Sequence, residues 1–468
     1  MDPLIAGLQA IVGARHCLIE PEAQAPFVTD WRSLYHGRAR AVALPGTVAE
    51  LQAIVRLARQ HRAPIVPQGG NTGLCGGATP DDSGRAILLS LKRIDRIRAV
   101  DPLNNSMVAE AGCILANLQQ AASEADRLFP LSLSAEGTCQ IGGNLATNAG
   151  GLNVVRFGNA RDLCLGLEVV LPDGTLLSGL NALRKDNTGY DLKQIFIGSE
   201  GTLGIITAAA LKLFPRPLAR ATAIVALSDL DVAPALLARC RAGLADQLVS
   251  FELLPRFGIE LGRRFMPGLS WPLAQLPEWS VLIEASTSSG AFDIRAAMEQ
   301  SLAASLEAGE IADAAIANSE AQSRAMWQLR EGILEGQNRT GASIKHDVSV
   351  PVAQVPAFIK AANAAVLAAW PEARVLAFGH VGDGNTHFNL AQPENESKAA
   401  FTARTAEVNR VVHDVVASFG GSISAEHGIG QLRRAELHHR KPAAELDLMR
   451  RIKRTLDPED LMNPGKLV

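Results

Sequence analysis

Apolar and polar positions along the 468-residue chain change period several times, and those changes outline its elements. Residues 47–62, TVAELQAIVRLARQHR, carry apolar side chains at helical intervals behind Thr47 and Glu50 in capping-box spacing, which predicts a helix. A short apolar strand, PIVPQ, follows and runs into a glycine-rich loop. Strands are expected at 86–91, 95–100 and 106–111, and a helix near 114–125. Residues 134–151, SAEGTCQIGGNLATNAGG, hold too many glycines and asparagines for a stable helix and read as irregular. LEVVLPDGTLLSG reads as a hairpin with Asp173 and Gly174 in a two-residue turn, and GIITAAALKLF as a strand stopping at Pro215.

From about residue 218 glycines thin out and a strand-helix-strand texture begins, with strand and helix candidates at 279–285 and 291–307. A charged helix is expected near 318–338. In ASIKHDVSVP, alternation puts Lys345, Asp347 and Ser349 on one strand face. A helix through 400–418 precedes GGSISAEHGIG and the tail LMNPGKLV. The pattern divides the chain into 1–217, an α+β substrate or cap domain at 218–420, and a C-terminal segment at 421–468.

Length supports more than one hydrophobic core. A formal net charge of -3, with basic residues scattered along the chain, gives no footprint for nucleic acid. No apolar run is expected to reach bilayer-spanning length. Asp2 stands where a signal peptide would carry Lys or Arg, so the cytoplasm is the expected location, with any membrane association peripheral. The six cysteines form no C-x-x-C pair, which suits a reducing compartment and excludes an in-chain iron–sulfur cluster.

Two glycine loops, PQGGNTGLCGGATP and GTCQIGGNLATNAGG, could present backbone N–H groups to phosphate. Neither has the G-x-G-x-x-G of a Rossmann site. Gly465-Lys466 is followed by Leu467, so no Walker motif exists either. In AFGHVGDGNTHFNL, glycines at 379, 382 and 384 oppose a helix. A hairpin turned by Gly382 to Asn385 would pair Val381 with Thr386 and His380 with His387 on one face. Two such imidazoles either share a metal ion or are satisfied hairpin histidines. His427 has the chemistry of a general base near neutral pH, or of a loop histidine capping a carbonyl.

These loops, together with LRKDNTGYDLKQIFIGSEGTLGIIT, FGHVGDGNTHFN, SAEHGIG and MNPGK, resemble the FAD-dependent D-2-hydroxyacid dehydrogenases of the vanillyl-alcohol oxidase / p-cresol methylhydroxylase superfamily, in the D-2-hydroxyglutarate and D-lactate dehydrogenase branch. The resemblance runs from about residue 40 to the C-terminus. It implies an α+β architecture: a two-subdomain FAD-binding domain of the p-cresol methylhydroxylase type, a cap domain, and a C-terminal helical segment returning to the flavin. By the same resemblance Pro67, Gly69, Gly70, Asn71, Thr72 and Gly73 hold the FAD pyrophosphate. Gly137, Thr138, Gly142, Gly143, Thr147, Asn148, Gly150 and Gly151 form the second loop, Ile205 and Ile206 flank the adenosine part, and Asn463 stands near the flavin. Asn71 occupies the place where covalent members carry a flavin-linked histidine, so the FAD is expected to be dissociable.

The resemblance also places a divalent metal, Zn²⁺ or Mn²⁺, on His380, His387 and Glu426, a two-histidine, one-carboxylate set with room for substrate. Arg330 and Lys345 match positions that bind the substrate carboxylate, and Asn389, on the face of His387, can donate to substrate. Members that oxidise D-2-hydroxyglutarate commonly carry a hydroxyl residue where this chain has Leu334, which keeps D-lactate and apolar D-2-hydroxyacids in play. The expected partners are a small D-2-hydroxyacid and an external electron acceptor, whether an electron-transfer flavoprotein, a quinone or a cytochrome; a homodimer stays open. Two rivals share the fold: a non-redox FAD-dependent alkyl transferase and a subunit of a glycolate-oxidase-like complex.

Overall fold

The computed structural model describes residues 2–468, which form two compact units. One contains the chain up to Gly151, Gly158–Arg216 and Glu426–Val468; the other contains Leu152–Phe157 and Pro217–Ala425.

In the first unit the predicted helix forms as Val48–Gln60 and buries Leu51, Ile54, Val55 and Ala58. Thr47 Oγ1 accepts the Glu50 N–H at 3.1 Å, and Glu50 Oε2 reaches back to the Gly46 N–H at 2.7 Å. These bonds satisfy amides that a helix start would otherwise leave open. The helix connects Ala41–Ala43 to Ile65–Gln68, and both strands lie parallel to Ile87–Ser90. The C-terminal tail lies along the same sheet: the Ile65 N–H donates to Leu461 O and the Asn463 N–H to Ile65 O, at 2.7 and 2.8 Å. A second sheet has five antiparallel strands in the order Ile97–Asp101, Ser106–Glu110, Ile205–Lys212, Cys164–Val170, Leu176–Gly179.

Two expectations for this unit are corrected. Residues 134–151 are not wholly irregular, because Ile141–Ala146 forms one short helix. Its glycine cost is offset by packing: Gly142 donates its N–H to Ala111 O at 2.8 Å, and a Cβ there would lie 2.6 Å from the Ala111 Cβ. The Asp173-Gly174 turn is a three-residue connection. The Leu171 N–H bonds Thr175 O at 2.9 Å, and Gly174 takes the left-handed conformation, φ +81°, that the extra residue requires.

The second unit is built on an antiparallel sheet ordered Leu248–Pro255, Trp279–Thr287, Ala219–Leu227, Ile311–Ile316. The charged helix, Glu320–Thr340, packs glycine to glycine on Arg256–Phe265: a Cβ on Gly336 would lie 2.6 Å from the Leu261 carbonyl carbon, and one on Gly262 2.9 Å from that of Gly332. Such close approach fixes the height at which Arg330 leaves the helix. The helix expected through 400–418 is broken at Arg404 into Lys398–Ala403 and Thr405–Ser418. One stretch, Val352–Ala369, does reach membrane-spanning length and hydropathy, contrary to expectation. Its helix buries Val355, Phe358, Ile359, Ala362 and Val366 in the unit's own core.

A smaller sheet centres on Asn385–Ala391. Arg374–Phe378 pairs on one side, and two short strands, Ser343–Ile344 and Asp347–Ser349, pair elsewhere along it. The expected single strand is therefore interrupted at Lys345 and His346, and Asp347 is fully buried. The histidine hairpin also differs in register. His387 stands opposite Phe378, not His380. Gly379 leaves the hairpin to exchange two backbone hydrogen bonds with Leu253, at 2.8 and 3.1 Å, so residues 379–384 form a six-residue connection. Its φ of +114° suits glycine, and a Cβ there would meet the His387 ring at 2.8 Å.

Candidate active site

In the first unit, the strand Ile65–Gln68 delivers its glycine loop to the wall of a cleft. Pro67, Gly69, Gly70, Asn71, Thr72, Gly73, Gly142, Gly143, Thr147, Ile205 and Ile206 line it, together with His427. Among the described residues no acceptor meets the backbone N–H groups from Gly69 to Leu74. A run of unsatisfied amides on a concave wall is an anion cradle. Gly73 and Gly143 face open space, since a Cβ on either would meet nothing within 4 Å. Gln140 Oε1 and Asn144 Oδ1, in the same walls, are buried oxygens with no donor among the described residues. These features fit a dinucleotide with both phosphate and N–H groups.

The other residues proposed for the cofactor lie outside the cleft lining. Gly137 is open on its Cβ side, and Gly150 is half-buried in irregular chain just before Gly151. Thr138 O limits Gly70 to glycine: a Cβ there would sit 2.2 Å away. Asn148 Oδ1 accepts the Arg161 N–H at 2.9 Å, and Gly151 donates its N–H to Glu426 Oε2 at 2.8 Å. Asn463, left-handed and fully buried, donates from Nδ2 to Gly77 O and Glu200 O at 2.9 and 2.7 Å.

Glu200 belongs to the quoted IGSEGTLGIIT motif, but nothing in that string marks its role. Its two carboxylate oxygens accept the Ile429 and Gly430 N–H groups, each at 2.7 Å, and so clamp the loop that carries His427. Burial raises its pKa, against the pull of those two N–H groups and of Arg433 and Lys466. His427 Nε2 lies 3.8 Å from Glu426 Oε1.

In the second unit, Arg330 is buried, with its guanidinium 4.9 Å above the Phe378 ring. Its Nε donates to Glu252 Oε2 at 2.8 Å, and among the described residues neither Nη1 nor Nη2 meets an acceptor. The other oxygen of Glu252 meets His380 Nδ1 at 2.7 Å. Burial pushes the Glu252 pKa up, but His380 and Arg330 outweigh it and hold the carboxyl down at about 2. The His380 and His387 ring centroids are 5.2 Å apart, and His387 Nδ1 is 3.9 Å from Asp347 Oδ1. Despite the changed register, the two imidazoles are neighbours, and each stands beside a buried carboxylate, Glu252 for His380 and Asp347 for His387. Lys345 Nζ donates to Asn338 Oδ1 at 3.1 Å. The amide of Asn389 is tied at both ends, to the His346 N–H and to Gln337 Oε1, both at 3.1 Å. Glu252 and Asp347 were not among the expected site residues. No cysteine forms a disulfide, and all six are buried.

The parallel-strand glycine loop and its bare amides fit the diphosphate of a dinucleotide such as FAD. Residues 39–179 match the FAD binding domain family, and residues 216–467 match the FAD linked oxidases, C-terminal domain. The chain belongs to this FAD-linked oxidase family. It is 38% identical over 466 residues to D-2-hydroxyglutarate dehydrogenase of Xanthomonas citri pv. viticola, covering 100% of this chain and 97% of that one. It is 37% identical to the mitochondrial D-2-hydroxyglutarate dehydrogenase of Bos taurus, over 99% and 83% of the two chains. Among solved structures, p-cresol methylhydroxylase superposes with a TM-score of 0.77 at 16% identity, over 100% of this chain and 96% of that one. The α+β, p-cresol methylhydroxylase-type architecture expected from the motifs is the fold observed.

Proposed function

We propose that the protein is an FAD-dependent dehydrogenase that oxidises a D-2-hydroxyacid to the 2-oxoacid, with D-2-hydroxyglutarate as the first substrate to consider. The observation that carries the reading is Arg330: a buried guanidinium, fixed through Nε, that keeps both terminal nitrogens for an outside carboxylate. Full-length similarity to proteins named D-2-hydroxyglutarate dehydrogenases supports it.

In this reading FAD, held non-covalently by the bare amides after Pro67, supplies a hydride acceptor for the substrate's C2. Lys345 adds a point charge for the carboxylate, and Asn389 keeps one N–H of its amide for substrate. His427 takes the C2 hydroxyl proton, held in place by the loop that Glu200 clamps. A divalent metal on His380, His387 and Glu426 would lower the pKa of that hydroxyl. The electrons leave to an external acceptor.

A second reading, a D-2-hydroxyacid with an apolar side chain such as D-lactate, is favoured by Leu334. It is half-buried and packs on the apolar cluster that contains Leu329 and Ile333. Chelator treatment followed by addition of Zn²⁺ or Mn²⁺, assayed with both acids, tests the reading. Activity should fall and return with the metal, and the preferred acid identifies the side-chain pocket. Activity indifferent to chelator would remove the metal from the account.

A further inference from the structure

The helix Glu320–Thr340 presents two faces to its own unit. Gly332 and Gly336 lie against the helix Arg256–Phe265. At about 100° per residue, Arg330, Leu334 and Gln337 share an arc of about 60° on the opposite side. That arc meets the small sheet at both ends. At one end the Arg330 guanidinium stacks 4.9 Å from Phe378, whose ring centroid is 5.2 Å from that of His387. At the other, Asn389, two residues along the strand from His387 and on the same face, donates from Nδ2 to Gln337 Oε1 at 3.1 Å.

One backbone group fixes the orientation of both amides. The His346 N–H can only donate, and it meets Asn389 Oδ1 at 3.1 Å. The far end of Asn389 is therefore NH₂, and Gln337 must offer it an oxygen. The Gln337 NH₂ is turned the other way, where no acceptor among the described residues meets it, although the residue is only 1% exposed. Such a buried donor is costly unless an oxygen from outside meets it. Helical side chains lean toward the helix N-terminus, so Gln337 leans over Leu334 toward Arg330.

We infer, resting on the function proposed above and deepening it, that Gln337 is a specificity-determining residue: its NH₂ takes an oxygen of a second carboxylate at the end of the substrate's side chain, while Arg330 takes the carboxylate beside C2. Leu334, between the two, offers no polar side-chain atom, and the polar contact passes to the residue one turn further on. A D-2-hydroxyacid with an apolar side chain leaves the Gln337 N–H groups unmet, which is how a buried polar site rejects the analogue that lacks its partner.

The test is Gln337→Met in the flavin-loaded protein, since methionine keeps the length of the side chain and removes the amide. The ratio of kcat/KM for D-2-hydroxyglutarate to that for D-lactate should fall at least about tenfold, with the loss for the dicarboxylate in KM rather than kcat. Calorimetry with the products should agree: binding of 2-oxoglutarate to the oxidised protein should weaken at least about tenfold more than binding of pyruvate. A Gln337 that only braces Asn389, or whose NH₂ only holds a trapped water, gives equal losses for the two acids or none, and an unchanged ratio overturns the inference. If Gln337→Met does not fold, the wild type decides through D-2-hydroxypentanoate, which has the carbon chain of D-2-hydroxyglutarate without its second carboxylate. A kcat/KM at least about tenfold below that for D-2-hydroxyglutarate supports the inference, and equal values overturn it. A wild type whose flavin no D-2-hydroxyacid reduces ends the reading of the site and the inference with it; a wild type that oxidises these acids, with a ratio unmoved by Gln337→Met, ends the inference alone.

Discussion

The Glu200 carboxylate accepts the backbone N–H of Ile429 at 2.7 Å, two residues beyond His427. Its second oxygen does the same for Gly430. Glu200→Gln keeps one of these bonds and turns an NH₂ against the other amide, leaving a buried donor unmet at a cost of about 1–3 kcal/mol. The expected outcome is a lower melting temperature, by a few degrees for a chain of this size, and a lower kcat at nearly unchanged KM. Thermal melts and steady-state kinetics check it. A variant with wild-type kcat would separate the clamp from His427.

The two glycines of the flavin loop should fail in different ways. Gly70→Ala drives a Cβ to 2.2 Å from Thr138 O, so it should destabilise the protein with or without FAD. Gly73→Ala meets no protein atom within 4 Å and intrudes only on the cleft. It should fold with the stability of the flavin-free wild type and bind FAD at least about tenfold more weakly, a difference on the order of 1.4 kcal/mol. Flavin-to-protein absorbance ratios and melts of the flavin-free proteins distinguish them.

Lys466 gives a pH prediction. Burial lowers its pKa to about 8, against the attraction of Asp81 and Glu200 and with the repulsion of Arg434. A lysine whose folded pKa lies below its unfolded value of 10.5 adds stability that is complete above 10.5 and is lost as pH falls through about 8. Relative to Lys466→Met, the flavin-free wild type should therefore lose stability between pH 10 and pH 7, on the order of 3 kcal/mol in full. Denaturant unfolding at both pH values measures it, and a pH-independent difference would contradict it.

Leu334 tests the choice of substrate. Leu334→Thr puts a hydroxyl one helical turn after Arg330 and should raise the kcat/KM ratio for D-2-hydroxyglutarate over D-lactate by about tenfold. Parallel kinetics with the two acids give the answer, and an unchanged ratio would take Leu334 out of the side-chain pocket.

Local pattern carried the elements that depend on local forces. The helix Val48–Gln60 was legible because its cap and its buried face lie within one stretch of sequence. The histidine connection was legible only in part: glycines announced a turn, but Gly379 pairs with Leu253, about 125 residues earlier, and no short-range rule reports that. Cofactor-loop glycines could be read because backbone approach demands them. Glu200 and Glu252 could not, since each sits in an ordinary apolar or glycine-rich string and acquires its partners only on folding. Arg330 was named for its motif, and the fold adds why it points as it does.

The central claim is that flavin in this protein takes its electrons from a D-2-hydroxyacid. Mixing the FAD-loaded protein anaerobically with D-2-hydroxyglutarate, and separately with D-lactate, while recording the flavin absorption band, tests it most directly. The account predicts bleaching by at least one D-acid, with the L-enantiomers inert, and loss of bleaching in Arg330→Met. A flavin that dithionite reduces and no D-2-hydroxyacid bleaches would contradict it.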